Sequence, residues 1–290
     1  MTTVMSLVSR HSKVFRRERT TVFFSLLSVI IVILLYALFL QKTQIDSISQ
    51  MVKVTTDIKN MVNQWMVAGL LSIIAITTTL GAFGIYVRDL ETKRAADFLT
   101  MPISRGTLLV SYVINSFVIG SVFSIIAFIG CEIFLVSSGG EWVDFPTLLK
   151  IIGVLLLAVA LASTFNLLCT LLVESQTAFS TLSTIIGTVI GFLCGVYVPM
   201  GALPDYVQKF MIYFPLSHPT VMLRELFMSN SLEKVFKGAP KEKEEYMSVY
   251  GVTYDWHNHI MTQTAHLGVI VASALVFCLI SILIFRARNR

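Results

Sequence analysis

The run WMVAGLLSIIAITTTLGAFGIYV, from Trp65 to Val87, carries no charged residue and is followed at once by RDLETKR, Arg88 to Arg94. A hydrocarbon core about 30 Å thick needs about 20 apolar residues in a helix. Lipid offers no partners to backbone N–H and C=O groups, so a run of this length predicts a membrane-crossing helix. Five more stretches meet the same test: Thr21 to Leu40, Leu108 to Val136, Leu148 to Val173, Ala178 to Val198 and Ala265 to Phe285. Composition agrees, with 55% hydrophobic and 13% charged residues, against about 25% charged in soluble domains. The reading is an all-α integral membrane protein of six spans, with residues 1–290 as one transmembrane domain.

The first apolar run follows basic residues, as in a signal peptide. It is longer than an h-region of about 7–15 residues, and no small-x-small site follows Leu40, so it is read as a permanent span. Arg10, Lys13, Arg16, Arg17 and Arg19 precede it, Arg88, Lys93, Arg94 and Arg105 separate spans two and three, and Arg286, Arg288 and Arg290 end the chain. These twelve of the 22 Lys and Arg residues lie close to spans on one side, which predicts that both termini are cytoplasmic. Trp65, Trp142 and Trp256 all fall at predicted outer ends, where an indole suits the headgroup level. The positive charges flank apolar runs and form no stripe, so nucleic acid is excluded as a partner.

Outside the spans, residues 1–20 read as an interfacial helix, with Val4, Leu7, Val8, Val14 and Phe15 set against Arg10, Lys13 and Arg17. Gln41 to Gln64 reads as a polar outer loop. Only Glu174, Ser175 and Gln176 link spans four and five. The outer segment from Pro199 to Thr264 divides in two. Its first part holds four of the seven prolines, Pro199, Pro204, Pro215 and Pro219, between short amphipathic pieces at Asp205 to Tyr213 and Thr220 to Met228. This part reads as a re-entrant or interfacial hairpin, and Ser229 to His259 as a solvated outer cap.

The chain has no G-x-x-x-x-G-K-[ST] loop, G-x-S-x-G elbow or H-E-x-x-H pair. Any ATP chemistry therefore belongs to another polypeptide. Cys131, Cys169, Cys194 and Cys278 sit in apolar runs without metal-like spacing and read as packing residues. His257, His259 and His266 lack a matching ligand set, so no metal is expected. Between spans two and three, Asp89, Glu91, Lys93, Arg94 and Asp97 share a predicted short helix with Leu90, Ala95, Ala96, Phe98 and Leu99. Pro102 stops it, and Ser104 is placed to cap span three. Docking to a soluble partner and an ordinary topology-fixing loop are both open on these residues alone.

Together these features resemble the permease subunit of the ABC-2 type exporters. The resemblance rests on Asp89, Glu91, Lys93 and Arg94 running into Leu99, Pro102, Ser104 and Arg105, similar to that family's coupling helix. It rests also on Gly195, Val198, Pro199, Leu203 and Pro204, then Phe214, Pro215, Leu216 and Pro219, similar to its outer re-entrant segment, and on the six-span layout with an interfacial N-terminal helix. It implies a multi-pass protein of the cell membrane, of bacterial plasma-membrane type, working as a homo- or heterodimer. Two cytoplasmic ATPase subunits would bind ATP and Mg, with no cofactor on this chain and an amphipathic drug, peptide or lipid-linked cargo. Coupling to the ATPase would fall to Asp89, Leu90, Glu91, Lys93, Arg94, Phe98, Leu99, Pro102 and Arg105.

Ser183, Gly187, Gly191 and Gly195 form a stripe of small residues on span five that lets helices approach closely. The residues leave open contact within the chain, while the resemblance points to the dimer interface. Asn115, Glu132 and Asn166 are the polar residues of a possible translocation path. Asn115, Asn166 and Thr77 to Thr79 more simply bond across helices, and Glu132 either reaches outer water or attracts cations at a path's exit. Two other classes stay in view: a non-transporting sensor or anchor subunit, and a membrane enzyme, for which the His, Asp and Glu residues are too scattered.

Overall fold

A computed structural model describes residues 2–36, 41–42, 45, 55–92, 103–256 and 259–288. The helices are α1 (Thr2–Arg17), α2 (Arg19–Leu35), α3 (Thr56–Glu91), α4 (Arg105–Ser137), α5 (Phe145–Thr170), α6 (Gln176–Leu193), α7 (Asp205–Tyr213), α8 (His218–Val235), α9 (Pro240–Val249) and α10 (Gln263–Arg288). A two-stranded antiparallel ribbon pairs β1 (Asp255–Trp256) with β2 (His259–Ile260). Five helices, α3, α4, α5, α6 and α10, are long and apolar enough to cross a membrane. The protein is an all-α integral membrane protein. Helix α2 has 17 residues, about 25 Å of helix, and positions 37–40 of the first predicted span lie outside the described residues.

Helix α3 is the hub: α4, α5, α6 and α8 all pack on it. Its run from Trp65 to Ile76 is buried without interruption, as expected of a helix apolar around its whole circumference. By contrast α10 and α6 keep large apolar side chains on the surface, among them Leu275, Leu279 and Leu283 on α10 and Ile185 and Val189 on α6. In hydrocarbon such faces carry no penalty.

Local chemistry sets the helix ends. Thr55, Ser104, Asp144 and Ser175 each accept a backbone N–H of the first turn that follows, satisfying donors that a helix start leaves open. Two ends depend on a left-handed residue that glycine adopts without strain. Gly139 (φ 93°) closes α4 as the Gly140 N–H donates back to the Leu135 carbonyl at 3.0 Å. Gly195 (φ 60°) closes α6 as the Val196 N–H donates to the Gly191 carbonyl at 2.9 Å. Helix α6 thus stops at Leu193, short of the predicted Val198.

Three expectations change. Residues 56–64, predicted as outer loop, belong to α3, because Thr55 caps the helix start and Ile58, Met61 and Val62 are buried ahead of the apolar run. The piece read as Thr220 to Met228 is the middle of α8, which extends to Val235 and buries Leu232 inside the predicted cap. Trp65 is 0% exposed and sits in the core, while Trp142 and Trp256 are exposed.

Candidate functional site: the basic end of the bundle and the Arg224 node

At the end of the bundle that carries the basic segments, α1 lies along α4 with Leu7, Val8 and Phe15 buried. Its next row is polar, and it also faces inward. Arg10 forms an ion pair with Asp89, which is only 1% exposed, with one Nη–H donating to Oδ1 at 3.2 Å. The Tyr112 hydroxyl donates to Oδ2 of the same carboxylate at 2.7 Å. Ser12 donates to Asn115 Oδ1 at 2.8 Å.

His11 stacks on Tyr112 with centroids 4.0 Å apart. The Ser111 hydroxyl donates to the Leu108 carbonyl, so it accepts from His11 Nε2–H at 3.0 Å. Arg10 donates to His11 Nδ1 at 3.1 Å. These bonds fix one neutral tautomer. Burial, aided by the Arg10 charge, brings the His11 imidazole down to about 4, and Asp89 raises the Arg10 guanidinium above its usual value.

Asp89, Leu90 and Glu91 are the last residues of α3 and not a separate helix. Thr92 ends it, its hydroxyl donating to the Arg88 carbonyl at 2.7 Å. Asp89, grouped by sequence with the docking charges, turns its carboxylate inward. Leu90 is half-buried against the same cluster. Glu91 is exposed and accepts the Gln176 N–H at 3.3 Å, while Gln176 Nε2 donates to the Gly84 carbonyl at 2.9 Å, so the start of α6 is tied to the end of α3. Arg88 pairs with Glu18 beyond α1. Lys93, Arg94, Phe98, Leu99 and Pro102 lie outside the described residues. Arg105 opens α4 and is exposed.

At the other end, Arg224 on α8 is buried among backbone carbonyls. Its Nη1 donates to Tyr250 and Gly251, both at 3.2 Å, and its Nη2 to Cys194 at 3.2 Å and Gly195 at 2.7 Å. Two of these carbonyls are ones that the end of α6 leaves open. Trp65 Nε1–H donates to the Tyr250 carbonyl at 2.7 Å. Burial pushes the Arg224 guanidinium down to about 10, so it stays charged at neutral pH. Sequence reading missed this node. The signal was Arg224 within the run VMLRELFM, whose one other charged residue is Glu225.

The remaining singled-out residues separate. Asn166 on α5 donates to the Ile76 carbonyl and to Thr79 Oγ1, both at 2.8 Å, and so joins α5 to α3. Thr77, Thr78 and Thr79 mostly bond back to carbonyls of their own helix, four residues earlier, instead of across helices. Glu132 is 5% exposed, not open to outer water, and accepts the Val143 N–H at 3.5 Å beside the α4–α5 turn. The structure does not bring Asn115, Glu132 and Asn166 together through any shared hydrogen bond among the described residues.

In the small-residue stripe, Gly191 lies under the Tyr197 ring, where a Cβ would come within 2.2 Å of it, whereas a Cβ on Gly187 would meet nothing within 4 Å. Ser183 is half-buried. Contact within the chain thus accounts for Gly191, and helix termination for Gly195. Among the described residues no group of three His, Cys, Asp or Glu side chains is placed to hold a metal. His266 instead meets His218, Nδ1 to Nδ1, at 2.7 Å.

The family model of the ABC-2 type transporter matches residues 2–228. The chain therefore belongs to the ABC-2 type transporter family, as the membrane-embedded permease component of an ABC transporter. A comparison with curated proteins gave no match.

Proposed function

We propose that this chain is the permease subunit of an ATP-driven exporter, working as a dimer with a separate cytoplasmic ATPase that supplies the ATP and Mg sites. The observation that carries the reading is the buried Arg10–Asp89–Tyr112 cluster. It locks α1 and α4 to the last turn of α3, immediately ahead of residues 93–102. A push delivered there by a partner would be transmitted to three helices at once. On this reading Asp89 positions, while Glu91, Lys93, Arg94, Phe98 and Leu99 make or frame the contact.

The same reading takes α2 as the first of six spans, puts both termini in the cytoplasm, makes α7 and α8 the re-entrant pair, and assigns the exposed α6 face with Gly187 to the second subunit. The cargo is an amphipathic drug, peptide or lipid-linked molecule. Transport work requires that cargo bind the inward- and outward-facing states with different free energy.

The test is co-purification of the chain with its soluble partner, followed by ATPase rates in reconstituted membranes. Phe98→Ala is expected to weaken the complex more than Lys93→Ala, because losing an aromatic anchor can cost about 2 kcal/mol while a rim charge costs little. Glu91→Lys should weaken it in a salt-sensitive way. No change in binding or hydrolysis with any of the three would remove the docking role from the segment between α3 and α4.

A further inference from the structure

Helices α3 and α4 run antiparallel and are tied at two levels. The Ser116 hydroxyl donates to the Thr79 carbonyl at 2.9 Å, and Asn60 Nδ2 donates to the Gly139 carbonyl at 3.1 Å. Gln64 on α3 and Glu132 on α4 lie between these ties. Three side-chain oxygens of this stretch, Asn60 Oδ1, Gln64 Oε1 and Glu132 Oε1, are buried and accept no hydrogen bond. Each forfeits the bonds it would make in water, a carboxylate most of all. A cavity of about 260 Å³ adjoins them. Asn60 and Gln64 are in its lining, and so is Val143, whose N–H donates to Glu132 Oε2 at 3.5 Å. Trp142 lines it with an exposed ring. Among the described residues Lys234 is the one cation of the lining, and Glu141 holds it at 3.3 Å.

We infer that this cavity binds a primary ammonium group, its N–H donors taken by Asn60 Oδ1, Gln64 Oε1 and Glu132 Oε1 and its alkyl stem passing Trp142. All three unpartnered oxygens are acceptors, so the group that fits them is a donor, and the carboxylate among them favours a charged one. Asn60 cannot present its amide the other way round, because its Nδ2 is committed to the Gly139 carbonyl. One carboxylate and two amide oxygens fall short of the about six to eight oxygens that calcium gathers, whereas the three donors of an ammonium need one acceptor each. The Trp142 indole adds an aromatic face for the alkylammonium. The oxygens are covered by the cavity wall, so binding includes rotation of their side chains, a common local adjustment.

The experiment is thermal unfolding of the purified full chain in neutral detergent, at neutral pH and constant ionic strength, titrated with butylammonium, tetramethylammonium, calcium or butanol. Butylammonium should raise the melting temperature saturably. Tetramethylammonium, which has no N–H, should not, and neither should calcium or butanol. Glu132→Gln should weaken the apparent affinity for butylammonium about ten-fold and Gln64→Leu about three-fold. Gln64→Lys ties an ammonium to α3 at the same place, so it should raise the melting temperature by itself and abolish the response. Glu244→Gln, an equal loss of charge on the exposed face of α9, should leave the response unchanged. Displacement of butylammonium by phosphatidylethanolamine makes the source a lipid headgroup, and failure to displace it makes the source a soluble amine; the ammonium site stands in both cases. The inference is overturned if butylammonium gives no saturable shift, or if tetramethylammonium, calcium or butanol matches it. It is equally overturned if Glu132→Gln or Gln64→Lys, folded by size exclusion, responds as the wild type does.

Discussion

The Arg224 guanidinium lies 4.6 Å from the centroid of the Trp65 ring, and both side chains donate to the same Tyr250 carbonyl. A buried cation is tolerated here because carbonyl oxygens and an aromatic face replace its water. Arg224→Met should take this donor from the Cys194, Gly195 and Gly251 carbonyls and lower stability by about 3 kcal/mol or more, whereas Trp65→Phe, which removes one hydrogen bond, should cost about 1 kcal/mol. Thermal unfolding in detergent measures both. Equal effects would mean that the guanidinium contributes nothing beyond packing.

Asp89→Asn should loosen α1. Losing one partner of a mostly buried pair costs about 3 kcal/mol, while Glu91→Gln, at an exposed contact, should cost less than about 1 kcal/mol. A cysteine at Ser9, in a background without the four native cysteines, reports on this through its rate of thiol labelling. The Arg10→Asp, Asp89→Arg exchange should recover part of the loss. If the exchange is as loose as Asp89→Asn, the pair does not hold the helix.

The two histidines joining α8 to α10 give the protein an acid-sensitive contact. His218 Nε2–H donates to the Ile212 carbonyl at 3.0 Å, so its Nδ1 accepts from His266. Burial first, and then His266, lowers the His218 imidazole to about 4. A depressed histidine favours the folded state in its neutral form. The stabilisation is full above about pH 6.5 and is lost as pH falls toward 4. Melting temperature should drop between about pH 7 and about pH 4.5, and drop less in His218→Gln. A parallel fall in both would place the sensitive group elsewhere.

Gly191→Leu and Gly187→Leu should fail differently. The first displaces the Tyr197 ring and should reduce folded protein whatever its oligomeric state. The second meets open space and should leave the subunit folded while lowering the dimer fraction. Fluorescence-detected size exclusion separates the two outcomes, and identical elution profiles would refute the assignment.

Spans were legible because α4, α5 and α10 each carry a predominantly apolar stretch of about 20 residues without Asp, Glu, Lys or Arg, and lipid permits only one backbone solution to such a run. Their ends were less so. The polar start of α3 at Thr56 and the early stop of α6 at Leu193 depend on a cap and on a left-handed glycine, which hydropathy does not register. The site residues were legible as a segment but not in their direction. Nothing local in the RDLETKR run says that Asp89 faces Arg10, 79 positions away, while Glu91, two residues on, faces out. Trp65 shows the same limit, since an indole near the end of a span suits a headgroup or a buried carbonyl equally well, and only the fold put Tyr250 beside it.

That last contact has a consequence for how the chain is made. The Trp65 indole and the carbonyl it bonds are 185 positions apart. At about 5–20 residues per second, synthesis leaves α3 in the bilayer for roughly 10–40 s before its partner exists. During that interval its most buried turn has neither Arg224 above it nor the 250–251 turn across it. This joint therefore closes late, with only the β ribbon and α10 still to follow it, and a chain truncated ahead of Tyr250 would insert its early helices yet never close around them.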